Sequence, residues 1–207
     1  MLGRKMWRSV ISKRQLGCVL LAAALAVWSS GAQAQAESAD SEALWALLKK
    51  PHYIVLLRHS NAPGNVSESN DMNFKDCSIQ RNLDQDGRAQ AARIGDAFRK
   101  HGIRSVRLYS SQYCRAMDTA KLTRLGAVTP LPILNQVFLA DIPAMQKAGT
   151  DGREFLKKIP AGQLTMLVSH VTNITAIAGV NLDSGQMAIV HFDPSGNVVV
   201  DGKITVP

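Results

Sequence analysis

Two arginines and two histidines, Arg58, His59, Arg115 and His170, are the residues of this sequence that could together act on an anion. A guanidinium group presents a planar set of donors that matches phosphate oxygens, and it neutralises charge on a bound group. A histidine near neutral pH can be a nucleophile, an acid or a hydrogen-bond donor. No cluster of carboxylates accompanies the four, so a divalent metal is not indicated and we expect no cofactor. The set therefore predicts a metal-independent site for a phosphoryl group.

Each of these residues follows a stretch that is typical of a β-strand. Two unbroken apolar runs and one shorter stretch have this character, and they cover residues 53–57, 164–168 and 106–109. Arg58 and His59 follow the first run directly, and His170 lies two residues after the second. Arg115 lies one helical turn beyond Ser110-Ser111, at the end of the short stretch. Because ligands of open α/β sheets bind beyond the carboxyl ends of the strands, we expect all four at one edge of a sheet.

The other periodicities complete an α/β architecture. Amphipathic or capped segments predict helices over residues 37–51, 84–100, 112–125 and 142–158, with a helix or turn over 172–179. Asp84 is placed to cap the second helix, and Ser110-Ser111 the third. Alternating residues at the C-terminal end predict a β-hairpin. We expect a three-layer α/β/α sandwich around a mostly parallel sheet, with that hairpin at its edge.

Four blocks of the sequence, in order, resemble the histidine phosphatase superfamily, whose fold is phosphoglycerate-mutase-like. The blocks are residues 54–59, which end in Arg-His, 82–91, 108–120, which contain Ser-Ser followed by Arg115, and 167–170. The resemblance implies that His59 attacks phosphorus and forms a phosphohistidine, which water then hydrolyses. Arg58, Arg115 and His170 would hold the equatorial oxygens. Asn61 would be a further donor to the phosphoryl group.

Two positions depart from the family pattern. Ser60 stands where glycine usually follows Arg-His. Val171 stands where the acid phosphatase and phytase branch has an aspartate that protonates the leaving oxygen, although Asn173 of the same motif matches and is expected to bind phosphate. In the other branch the acid follows the second arginine, and we expect Asp141 to fill that role. Its alternative, a helix N-cap before residue 142, is compatible with it.

The first 34 residues predict a secretory signal peptide. They carry five basic and no acidic residues, an apolar run over 16–27 that is too short to span a bilayer, and a small-x-small end. We expect cleavage near Ala34 or Ala36, a periplasmic or secreted protein, and a catalytic domain over residues 37–207. The alternative is an uncleaved amphipathic anchor. Without the leader the formal charge falls from +8 to +3, so nucleic-acid binding is not indicated.

Export leaves two cysteines, Cys77 and Cys114, in an oxidising compartment. They predict one disulfide, with two separate buried thiols as the alternative. A disulfide would tie the loop of residues 60–81, which lacks periodicity, next to Arg115. We therefore expect this loop to lie over the phosphate pocket.

These observations favour an exported phosphomonoesterase that acts on a small phosphorylated substrate and has no stable membrane insertion once the leader is removed. A mutase of glycolysis is disfavoured because its substrates stay in the cytoplasm. One alternative is a phosphate-ester-binding module with weak or no turnover. Another is a phosphohistidine or phosphoprotein phosphatase, which needs less acid catalysis because a phosphoramidate leaves easily. No particular oligomeric state is indicated.

Overall fold

A six-stranded sheet, with four parallel strands and an antiparallel hairpin, forms the centre of the protein. The computed structural model describes residues 40–66, 68–69 and 73–207, so the predicted leader lies outside the described residues. The strands are β1 Ile54–Arg58, β2 Arg107–Ser110, β3 Val128–Pro130, β4 Thr165–Ser169, β5 Met187–Phe192 and β6 Val198–Ile204. Their order in the sheet is β3-β2-β4-β1-β5-β6, and the hairpin β5-β6 forms one edge.

Helices follow the strands as the periodicity predicts. The first, α1, is described over residues 40–47, and the others are α2 Gln85–Lys100, α3 Cys114–Thr123, α4 Ile142–Lys157 and α5 Val171–Ala178. The described parts of the connections contain two short 3-10 helices, Cys77–Ile79 and Pro132–Leu134. Asp84 caps α2 as predicted, because its carboxylate accepts the Gly87 amide at 2.7 Å.

The start of α3 differs from its prediction. Its N-cap is Tyr113, which makes no side-chain capping bond, so the predicted cap by Ser110-Ser111 is wrong. Ser110 belongs to β2, where it pairs with Val168, and the Ser111 hydroxyl lies 2.8 Å from the His170 ring. Ser110 is therefore engaged in the sheet and Ser111 contacts His170, so the helix begins later, at Cys114.

The two faces of the sheet carry separate apolar cores. Val55 and Leu57 of β1 pack in the cluster that contains Phe98 of α2. Ile54 and Leu56, which point to the opposite face, pack in the cluster that contains Ile174 of α5. Because successive side chains of a strand alternate between faces, one strand buried on both sides holds the two helix layers together. The expected three-layer α/β/α sandwich with a C-terminal hairpin is confirmed.

The parallel pairing also aligns the strand ends. Arg58 at the end of β1 is level with Ser169 at the end of β4, and Ser110 of β2 is level with Val168. The chain segments that leave these strands therefore start at the same edge of the sheet. No helix in the described ranges is both long and apolar enough to cross a membrane.

Candidate active site

Two histidines meet at the carboxyl edge of the sheet. The His59 amide donates to the carbonyl of Ser169 at 3.0 Å, which continues the pairing of β1 with β4 past the last strand residue. His170 is the next residue after Ser169, so the two side chains start from adjacent positions. Their ring centroids are 5.2 Å apart, and both residues are buried. This is the convergence that the strand ends predict.

Arg115 joins the two imidazoles. It lies in the first turn of α3, is fully buried, and its Nε donates to His59 Nε2 at 3.2 Å. Its Nη2 lies 3.4 Å from His170 Nδ1. The guanidinium also lies over the Tyr113 ring, with Cζ 4.6 Å from the centroid. One cation thus contacts both histidines, as a shared phosphoryl site requires.

The partners of His59 assign its tautomer. Nδ1 lies 2.8 Å from the carbonyl oxygen of Ser60, which can only accept, so Nδ1 carries the hydrogen. Nε2 then bears the lone pair and accepts from Arg115. Burial, reinforced by the positive charge of Arg115, lowers the pKa of His59 to about 3. The imidazole is therefore neutral at physiological pH, with Nε2 available as a nucleophile.

The Ser111 hydroxyl orients the ring of His170. Its Nε2 lies 2.8 Å from the Ser111 hydroxyl, which in turn donates to the side-chain oxygen of Asn135 at 3.2 Å. Because Arg115 is a donor only, Nδ1 carries the lone pair and Nε2 donates to Ser111. Complete burial, with His59 and Arg115 as neighbours, lowers the pKa of His170 well below its usual value. Nδ1 of His170 is thereby held on the Arg115 side of the ring.

A carboxylate that the sequence reasoning missed also occupies the site. Glu68 Oε1 lies 2.6 Å from Arg115 Nη1 and accepts the Arg81 amide at 2.9 Å, and its side chain is 5% exposed. Burial lowers the pKa of Arg115, and the charge of Glu68 opposes that effect. The sequence offered one sign of this role. Glu68 is the only glutamate between residues 60 and 82, and this loop was already expected to be functional.

Gln136 completes the contacts of Arg115, because its side-chain oxygen accepts from Nη2. Asn173, which the sequence predicts to bind phosphate, holds this segment in place. Its amide donates to the Asn135 carbonyl at 2.8 Å, and its oxygen accepts the Val137 amide at 3.2 Å. Asn173 therefore fixes the backbone on both sides of Gln136.

Arg58 lies beside the histidines. Its Nη1 donates to the carbonyl of Leu182 at 2.8 Å, while its buried Nε has no acceptor among the described residues. Burial and the nearby charge of Arg81 lower the pKa of Arg58. The charges of both arginines also lower the pKa of His59 and of His170, so the site is rich in positive charge.

Two predicted site residues lie elsewhere in the described structure. The Asn61 side chain donates to Asp84 at 3.0 Å and is exposed. The Asp141 carboxylate accepts the Ala144 amide at 2.9 Å, caps α4, and is exposed. The structure brings neither side chain into contact with His59, Arg115 or His170.

The predicted disulfide between Cys77 and Cys114 is present. Cys114 is the first residue of α3 and immediately precedes Arg115, and its amide donates to the Gln80 side chain at 2.9 Å. The far end of the 60–81 loop is therefore attached at the site. Within the part of the chain that is described, no group of three or more histidine, cysteine, aspartate and glutamate side chains is arranged to hold a metal ion.

Known proteins resemble this chain in family and in fold. A family model, the histidine phosphatase superfamily (branch 1), matches residues 54–160. Comparison with curated proteins found no significant match.

Solved structures share the fold. The protein histidine phosphatase SixA complexed with tungstate has a TM-score of 0.53 at 15% identity, over 74% of this chain and 96% of its own. A histidine-to-alanine mutant of phosphoserine phosphatase from Entamoeba histolytica, in complex with phosphoserine, has a TM-score of 0.53 at 14% identity, over 73% and 95%. A mycobacterial glucosyl-3-phosphoglycerate phosphatase has a TM-score of 0.53 at 16% identity, over 73% and 98%.

Proposed function

The chain belongs to the histidine phosphatase superfamily, and from this premise we propose that it is a phosphatase that hydrolyses phosphomonoesters through a phosphohistidine on His59. The observation that carries the proposal is the neutral, buried His59, whose Nε2 lone pair points at Arg115. A neutral imidazole next to a cation can attack a phosphoryl group that the same cation holds.

The reaction would proceed in two displacements. His59 Nε2 forms a bond to phosphorus while the bond from phosphorus to the leaving oxygen breaks. Water then attacks the phosphohistidine, the phosphorus–nitrogen bond breaks, and phosphate leaves with neutral His59 restored. Arg115 and Arg58 supply charge for the equatorial oxygens, where negative charge is spread in the transition state. His170 is anchored through Nε2 on Ser111, and its Nδ1, which carries a lone pair in the empty site, would donate to the same group only after gaining a proton.

We also propose that the protein works outside the cytoplasm on small phosphorylated compounds. The N-terminal segment has the composition of a secretory leader, and the disulfide between Cys77 and Cys114 is of a kind that persists in oxidising compartments. Localisation of a tagged full-length chain, with mass measurement of its N-terminus, tests this. A cytoplasmic, uncleaved chain would contradict it.

A second candidate is a phosphohistidine or phosphoprotein phosphatase. Val171 favours it, because the residue after the second histidine cannot protonate a leaving oxygen, and a phosphoramidate needs such help least. Phosphoramidate hydrolysis much faster than ester hydrolysis would select this candidate.

The activity test measures phosphate release from 4-nitrophenyl phosphate, serine O-phosphate and a phosphohistidine peptide. We expect wild type to hydrolyse the esters and to yield an acid-labile, alkali-stable phosphoenzyme after rapid quenching. His59→Ala should lose at least about 10³-fold in rate and all of the phosphoenzyme. His52→Ala, at an exposed histidine outside the site, is the matched control. Vanadate binding without turnover of any of the three would identify a binding module and contradict the proposal.

A further inference from the structure

The proposed ester hydrolysis requires a proton for the leaving oxygen, and the expected donors do not supply it. Val171 has no acidic proton, and the Asp141 carboxylate caps α4 on the surface. The Gln136 side chain, which contacts Arg115, has no acidic proton either. Among the described residues, Glu68 is the only carboxylate bonded to Arg115, His59 or His170. Building on the proposed function, we propose that Glu68 is the general acid and base of this site.

One guanidinium relates Glu68 to the nucleophile. Arg115 contacts His59 Nε2 through Nε at 3.2 Å and Glu68 Oε1 through Nη1 at 2.6 Å. A phosphoryl group that binds to Arg115 therefore lies within reach of both the attacking nitrogen and the carboxyl group. General acid catalysis requires this proximity, within about 3 Å or through one water.

The loop holds the carboxyl group at the site. Glu68 Oε1 accepts the Arg81 amide at 2.9 Å, and Arg81 lies four residues after Cys77, whose disulfide joins the loop to the start of α3. The Glu68 side chain is almost completely buried. A buried carboxyl that is fixed from two sides is positioned for proton transfer, as a mobile surface carboxylate would not be.

Charge balance provides the proton at the right stage. Before substrate binds, the Glu68 carboxylate balances the buried charge of Arg115. A phosphoryl dianion on Arg115 takes over this role, and two neighbouring anions repel each other, which favours the protonated acid. As substrate binds, Glu68 thereby takes up a proton from solvent and becomes a donor.

The proton transfers then balance over the two steps. As His59 Nε2 bonds to phosphorus and the ester bond breaks, the Glu68 proton passes to the leaving oxygen and an alcohol departs. The Glu68 carboxylate next accepts a proton from the attacking water, whose oxygen bonds to phosphorus as the phosphorus–nitrogen bond breaks. Phosphate leaves and neutral His59 is restored. Glu68 then releases its proton to solvent and again pairs with Arg115 as a carboxylate.

The test is Glu68→Gln in the full-length protein, because glutamine keeps the acceptor oxygen for Arg115 and the Arg81 amide but has no acidic proton. The kcat/KM for serine O-phosphate, whose alkoxide leaving group needs a proton, should fall by about 10²-fold or more. The kcat/KM for 4-nitrophenyl phosphate, whose phenolate leaves unaided, should fall less than about 10-fold. Glu68→Asp, which keeps the acid, should recover part of the first activity.

Controls separate this role from others. Glu154→Gln, the same change at an exposed ion pair of α4, should leave both activities unchanged. Equal losses of Glu68→Gln on both substrates would indicate a structural role for Glu68. Faster turnover of both substrates would indicate that Glu68 blocks substrate binding at Arg115. Either result overturns the proposal. The proposal would also be overturned if Asp141→Asn, and not Glu68→Gln, lost more activity on serine O-phosphate than on 4-nitrophenyl phosphate.

Failure of the proposed function would show in the activity of the wild type itself. If wild type hydrolyses neither substrate in a manner that depends on His59, both proposals fall. If His59-dependent hydrolysis is present and Glu68→Gln keeps the wild-type ratio between the two substrates, only the role of Glu68 falls. Tungstate binding by Glu68→Gln at least as tight as by wild type is expected, and it verifies that the variant retains the site.

Discussion

Burial of His59 links the stability of the fold to pH. Its pKa is about 3 in the folded protein because of burial and the charge of Arg115, against about 6.5 in an unfolded chain. Below pH 6.5 the unfolded chain therefore binds a proton that the folded protein does not bind until about pH 3. The free energy of unfolding falls as pH falls through this window, and His59 imposes no such loss above it. Between pH 7 and pH 5 the linkage amounts to about 2 kcal/mol.

His59→Ala removes this contribution, while burial and the charge of Arg115 still lower the pKa of His170 in the variant. We expect the free energy of unfolding, measured by urea titration and circular dichroism, to fall between pH 7 and pH 5 by about 2 kcal/mol less in the variant than in wild type. His170, also buried and neutral, contributes in the same direction to both proteins. The carboxylates common to both cancel in the comparison.

Equal pH dependence in wild type and His59→Ala would refute the reasoning. It would mean that folding leaves the pKa of His59 at its unfolded value, so that the imidazole would be protonated, and without a lone pair to attack phosphorus, below about pH 6.5. A difference of the opposite sign would mean that the folded state raises the pKa of His59 above the unfolded value. Either outcome would remove the argument that burial keeps His59 neutral.

Three further perturbations test the site and its supports. Arg115→Lys keeps the charge but cannot contact both histidines and Glu68 together, so kcat/KM for 4-nitrophenyl phosphate should fall about 10²- to 10³-fold in a folded protein. Gly87→Ala would place a Cβ 2.0 Å from the Asn61 carbonyl oxygen, so urea titration should show a loss of at least about 1 kcal/mol, the lower limit for overpacking. Replacing Cys77 and Cys114 together by serine opens a link across 37 positions and should cost up to about 4 kcal/mol in the same assay, while free-thiol reaction of native wild type would contradict the link.

The sheet and the convergence at its edge were predictable because burial leaves a strong pattern. The apolar runs at 53–57 and 164–168 exist because β1 and β4 lie in the middle of the sheet with helices on both faces. Once these strands are known to be parallel neighbours, the residues that follow them must meet. His59 and His170 could therefore be placed together before any coordinate was known.

Roles that depend on one polar partner were not predictable in the same way. A residue type such as asparagine or aspartate suits several roles equally, and the neighbour that decides between them comes from a distant segment. Asn61 is attached to Asp84 and Asn173 to the backbone around Gln136. Asp141 behaves as the N-cap that the sequence also allowed.

Glu68 was missed for a related reason. Its position beside the buried Arg115 also limits which charges the site can hold. Its loop has no periodicity, and its place depends on a disulfide and on the charge of Arg115. Removing one partner of a buried ion pair costs about 3 to 5 kcal/mol, since the other charge is left without compensation. Arg115 is fully buried, so it must keep an anion beside it. When a phosphoryl group arrives, the glutamate has to give up the charge that it supplied, and accepting a proton does this without moving the loop. The same contact that stabilises the empty site therefore prepares the acid for the filled one.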